Sequence, residues 1–263
     1  MIDPTVITFI VLLTVLASAS VQDLKKREVS DTHWIILCAF SVIMMIITMP
    51  DHFFTAERMM ICAGSAMIAF DILYDREWSL RLNIIFYAAL AAMFVIPMIT
   101  ASDDSFIISS MTIPVCYVLF LLLFLTGAIK GGADVKCMIS IAIIFPSYPL
   151  LFGHPLIEVP GTMISAVFSF PIAVLFLAAV LSILLMVPIA VRNIIRNDTE
   201  FPRMFTGYRM DPKDAANSHV WPMDMGTAAD GEKIWVTPKI PFIVPITIAV
   251  IFIAFIGNVL FMI

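Results

Sequence analysis

Apolar runs of membrane length alternate with short polar breaks along the whole chain. A helix needs about 20 apolar residues to cross a bilayer, with a range of roughly 17–25. The pattern predicts eight such helices, over 4–22, 33–50, 58–74, 82–100, 107–129, 133–151, 162–191 and 240–262. Two have unusual lengths. Pro146 and Pro149 interrupt the sixth, so its regular part is expected to run only from Ala133 to Phe145. A helix that short thins the bilayer around it or borders a wet cavity. The seventh run, about 45 Å long at 1.5 Å per residue, must tilt, kink at Pro171 or Pro188, or project beyond the membrane.

Composition agrees with this pattern. Of 263 residues, 61% are hydrophobic and 13% charged, against about 45–50% and about 25% in a soluble domain. The expected fold class is therefore an all-α polytopic membrane protein with about eight transmembrane helices. No basic residue precedes the first apolar run, which therefore reads as a retained crossing and not a removable signal peptide. The four cysteines lie singly in or beside apolar runs, without the spacing of a zinc site or redox pair. No metal or cofactor is expected.

Charge placement orients the chain. With the amino terminus outside, the inside loops are 23–32, 75–81, 130–132 and 192–239. Of the fifteen Lys and Arg residues, Arg58 alone then sits at an outside boundary, as the positive-inside rule requires. The expected organisation is a transmembrane core over 1–191, a cytoplasmic segment over 192–239 and a last crossing over 240–263. The cytoplasmic segment carries seven basic and seven acidic residues interleaved with Phe201, Phe205, Tyr208, Trp221 and Trp235. Balanced charge with aromatics predicts a small folded cap and no nucleic-acid arm.

Four acids fall at cytoplasmic ends of crossings: Asp23, Asp71, Asp75 and Asp134. Asp71 and Asp75 have Arg76 and Arg81 close by and read as ordinary ion pairs. Asp23 ends the first crossing in Ala19-Ser20-Val21-Gln22-Asp23, and Asp134 opens the sixth in Gly131-Gly132-Ala133-Asp134-Val135-Lys136. If these helices pack together, two carboxylates meet at one depth. Two carboxyls sharing one proton cannot both ionise, so one serves as acid and the other as base, enough to activate water against a peptide carbonyl. The histidines form no HExxH, and no serine lies in a GxSxG setting. Lys136 reads as a headgroup anchor.

These stretches resemble the archaeal preflagellin peptidases of the type IV prepilin peptidase family. Ala19-Ser20-Val21-Gln22-Asp23, with Arg27-Glu28 and Asp31, looks like that family's first catalytic aspartate and its basic loop. Gly131-Gly132-Ala133-Asp134-Val135-Lys136 looks like its GxGD motif, with Gly131, Gly132, Ala133 and Lys136 supporting Asp134. The stretch Glu232-Lys233-Ile234-Trp235-Val236-Thr237-Pro238-Lys239-Ile240-Pro241 resembles the entry to its last crossing.

The resemblance implies a multi-pass aspartic endopeptidase of the cell membrane with catalytic Asp23 and Asp134 facing the cytoplasm. It implies as substrate an archaellin or pilin-like precursor with a basic leader and a hydrophobic segment. It also implies a six-helix core, leaving the pair near 58–100 as an addition. Ala133 departs from the motif's second glycine, and a position requiring positive φ would strain it. Two other readings keep chemistry in the membrane: a presenilin-like protease using Asp75 and Asp134, and a proton-coupled transporter. The first lacks a Pro-Ala-Leu motif near the last crossing, and the second expects acids at mid-bilayer or internal repeats.

Overall fold

The computed structural model describes residues 3–48, 55–129, 131–157, 168–216, 220–223, 233–238 and 241–258. Parts of several expectations lie outside these residues, among them Lys130, Glu232, Lys239, Ile240, the start of the seventh run and the end of the eighth.

Among the described residues, each apolar run contains helix. The run from 4 gives α1 (Pro4–Lys26), followed by α2 (Thr32–Ile47), α3 (Ala56–Leu73) and α4 (Leu80–Thr100). The fifth run divides into α5 (Ser105–Ser110) and α6 (Thr112–Leu125). Pro114 explains the division, because it has no N–H to give the carbonyl of Ser110 one turn back. Then come α7 (Gly132–Ile144), α8 (Phe170–Ile195), the short α9 (Arg203–Thr206) and α10 (Pro212–Ala216), and finally α11 (Ile243–Phe255).

Four segments, Pro4–Lys26, Leu80–Thr100, Ser105–Leu125 and Phe170–Ile195, are long and apolar enough to cross a membrane by length and composition. Thr32–Ile47 and Ile243–Phe255 are apolar but shorter. The protein is thus a mostly helical chain with membrane-length helices. Its apolar surface agrees: α4 buries Leu90, Phe94 and Pro97 while Ile84, Ile85, Ile96 and Ile99 face outward. Such an outward apolar face suits lipid and not water.

The shortest of the expected crossings lies innermost. In α7, Cys137, Met138, Ile139, Ser140, Ile141, Ala142 and Ile143 are fully buried, the mark of a helix surrounded by protein on every side. It stops at Phe145, which lies outside the helical region (φ −134°, ψ 80°) because Pro146 excludes helical backbone before it. Helix α8 does not kink at Pro171, which occupies its first turn. It runs past 191 to Ile195, so part of its excess length extends into the 192–239 segment.

Within that segment, β1 (Tyr208–Met210), β2 (Val220–Pro222) and β3 (Ile234–Pro238) form an antiparallel sheet in the order β1-β3-β2. Tyr208 pairs with Val236 and Val220 with Pro238. The sheet is fastened at two points. Asn193, buried near the end of α8, donates its Nδ2 hydrogens to the carbonyls of Met204 and Gly207 at 2.7 and 2.6 Å. Glu200 accepts the Trp235 indole N–H at 2.7 Å and also bonds Arg203 and Arg209.

The charges on α3 depart in part from expectation. Asp71 pairs with Arg76 and accepts the hydroxyls of Tyr117 and Tyr87. The Arg76 guanidinium lies over the rings of Phe86 and Trp78, 4.0 and 4.8 Å from their centroids. Asp75 does not share that helix face, because α3 ends at Leu73; it is exposed and has no ion pair among the described residues. Arg58, the exception to the positive-inside count, is held by Asp104 through two bonds of 2.7 and 2.9 Å. Its charge is thus neutralised in place.

Candidate active site

Helix α1 buries Leu12, Leu16 and Ala19 along one stripe, and the same stripe carries Asp23 inward. Asp23 is 8% exposed, in the last turn before the helix stops at Arg27. Its Oδ2 accepts the backbone N–H of Ile243 at 3.3 Å. Ile243 is the first residue of α11, so the carboxylate rests on the positive end of a helix from the far end of the chain. One turn further along both helices, Ser20 and Thr247 share a hydroxyl contact of 2.9 Å. These two contacts fix the depth of Asp23 against α11.

Asp134 sits in the first turn of α7 and is half-buried. The Gly131 carbonyl accepts the N–H groups of Asp134 and Val135, which starts the helix. The Asp134 carboxylate folds back over Gly131. A Cβ there would collide with Oδ2 and stand 2.9 Å from Cγ, whereas a Cβ on Gly132 would meet nothing within 4 Å. Gly131 has φ −91°, so its role is to leave room for the carboxylate and not to supply an unusual backbone. Ala133 lies within the helix and is not among the positive-φ residues. The strain that a positive φ would have caused does not arise.

The two aspartates face the same cleft, of about 350 Å³. It is lined by Asp23, Asp134, Gly131 and Ala133, and by Arg27, Glu28 and Val29. Ser182 and Met186 of α8 and Phe242 and Ile243 at the start of α11 form further wall. Trp221 from β2 and Thr237 and Pro238 from β3 reach it from the sheet. The third motif therefore contributes wall to the site through Thr237 and Pro238, while its Trp235 fastens the sheet. Asp75 is not among the residues lining the cleft.

Lys136 does not stand free as an anchor. Its Nζ donates to both carboxylate oxygens of Asp31, at 2.7 and 2.8 Å. That pair ties the start of α7 to the start of α2 and joins the first two motifs to each other. Neither the Ile243 amide nor the pairing of Asp31 with Lys136 was legible in the sequence, because each contact joins segments far apart in the chain. Among the described residues, no group of three His, Cys, Asp or Glu side chains is placed to hold a metal ion.

No protein-family model matches the chain. It is similar to the preflagellin peptidase of Methanocaldococcus jannaschii, 27% identical over 275 aligned residues that cover 96% of this chain and 94% of that protein. It is likewise similar to the preflagellin peptidase of Methanococcus maripaludis strain C6, 26% identical over 263 residues, 91% of this chain and 90% of that protein. Nearly from end to end, then, the chain is similar to archaeal preflagellin peptidases, the family that its three motifs resemble.

Proposed function

We propose that the chain is a membrane-embedded aspartic endopeptidase that removes the leader of preflagellin or of a pilin-like precursor. The observation that carries this reading is the convergence of Asp23 and Asp134 on one cleft. The names of its two similar proteins support preflagellin as the substrate.

In the reaction that this pair permits, the ionised carboxylate takes a proton from water as the water oxygen bonds to the peptide carbonyl carbon. The protonated carboxyl gives its proton to the carbonyl oxygen, which receives the π pair. The resulting gem-diol collapses: the C–N bond breaks and nitrogen takes the proton held by the first carboxyl. The second carboxylate recovers a proton from a hydroxyl, restoring the starting state.

The same proposal has eight crossings, a family-like core with α3 and α4 added, and the amino terminus outside. It divides the chain into a core over 1–191, a cytoplasmic segment over 192–239 and a last crossing over 240–263. Helix in each apolar run and the neutralised Arg58 support it. Both aspartates then open to the cytoplasm, with the sheet as a partial cover.

The test is cleavage of a leader-intact preflagellin in membranes carrying this chain, with Asp75→Asn as a comparison. Release of the leader by both the parent and the Asp75 variant is expected. Failure to cut any such precursor overturns the reading; loss of cutting in Asp75→Asn moves the first acid to the presenilin-like position.

A further inference from the structure

Arg27 closes α1 in the left-handed conformation, with φ 56° and ψ 23°, and its N–H donates to the Asp23 carbonyl at 2.9 Å. Glycine ordinarily fills this place after a helix, because a side chain there crowds its own backbone. Helix termination alone therefore does not call for arginine. Arg27 is one of the residues that line the cleft, with Asp23, Glu28 and Asp134. Nevertheless Nη1 is buried without a hydrogen-bond partner among the described residues, and the Arg27 charge reaches the Asp23 carboxylate only through space. A buried charged donor without an acceptor is costly. Lys136 and Arg58, by contrast, each hold a carboxylate.

We propose that Arg27 is a further catalytic residue, whose Nη1 donates a hydrogen bond to the carbonyl oxygen of the bond being cut. This rests on the peptidase reading above. A peptide entering the cleft brings the acceptor that Nη1 lacks. As water attacks, the carbonyl π pair moves onto that oxygen, which still receives its proton from the carboxyl pair. Arg27 loses no proton; its N–H stabilises the negative charge before that transfer. Such a donor acts on the transition state more than on the bound peptide, so its removal lowers kcat more than it raises KM. Lysine is a point charge without the planar fork and does not substitute for it.

The experiment measures kcat and KM of the full-length protein in detergent on leader-intact preflagellin. The variants are Arg27→Ala, Arg27→Lys and Asp23→Asn, each with a thermal melt. Arg27→Ala is expected to lose roughly 10²-fold in kcat with KM changed by less than about threefold. Millimolar guanidinium should restore part of this rate in Arg27→Ala and none in Asp23→Asn. Parental kcat in Arg27→Ala, or a loss confined to KM, overturns the assignment while the aspartate reading stands. If Arg27→Ala does not fold, Arg27→Lys decides: a reduced kcat at a parental melting temperature supports the role, and a parental kcat refutes it. An inactive parent chain overturns both readings.

Discussion

Gly131 and Gly132 stand side by side in one motif yet have opposite surroundings. The first gives its missing Cβ volume to the Asp134 carboxylate, and the second faces open space. Gly131→Ala should therefore displace the carboxylate and cost at least about tenfold in cleavage rate, since small misplacements of reacting groups are expensive. Gly132→Ala should stay within about twofold, because alanine suits a helix start. Comparing the two rates in protein of matched melting temperature checks the assignment, and equal losses would contradict it. Both aspartates were legible in the sequence because a carboxylate beside an apolar run is conspicuous. What holds them was not: the Ile243 amide and the Asp31–Lys136 pair come from remote segments. The unpartnered Arg27 nitrogen was not legible either: the motif resemblance includes Arg27 in the basic loop, but a missing partner shows only in the folded chain.

Helix α7 shows how much of an element the sequence can disclose. Its prolines set its end within a residue of the expectation, because their effect on the backbone is local. Its position inside the bundle was not local information; that emerges from the apolar residues all round it. The sheet was less legible still. Strands of three to five residues leave too little alternation to read, so only a folded segment with aromatics was expected. Glu200 now explains one aromatic. The hydrogen bond from Trp235, followed by Arg203 and Arg209, holds its carboxyl below the ordinary glutamate value, with burial opposing. A depressed folded-state value means that this contribution is fully present above the unfolded value of about 4.3 and is lost as pH falls through the folded one. Lowering the pH from about 5 into that range should release Trp235 and shift its fluorescence. Glu200→Leu should already show the released signal at pH 7 and lack that acid transition. An identical acid transition in both proteins would contradict the link.

Across the whole molecule, the proposed orientation puts the α4–α5 turn outside and the sheet inside. The four native cysteines are all buried, so they give little background to a thiol reagent. Asp103→Cys, in that turn, should react with a membrane-impermeant maleimide in intact cells. Phe201→Cys, where the side chain is 80% exposed, should react only after lysis. The reverse pattern would invert the molecule and move the cleft to the other face. The positive-inside pattern made this orientation available from the sequence. The closing of the cleft by α1, α7, α8, α11 and two strands required the folded chain.

The most direct measurement compares preflagellin cleavage rates of the parent protein with Asp23→Asn, Asp134→Asn and the double variant. Two carboxyls acting on one water predict that each single change removes roughly 10³-fold or more of the rate. They also predict that the double change removes no more than either single one, because each already disables the pair. A single variant that keeps a rate within about threefold of the parent, in protein that remains folded, would contradict the paired mechanism.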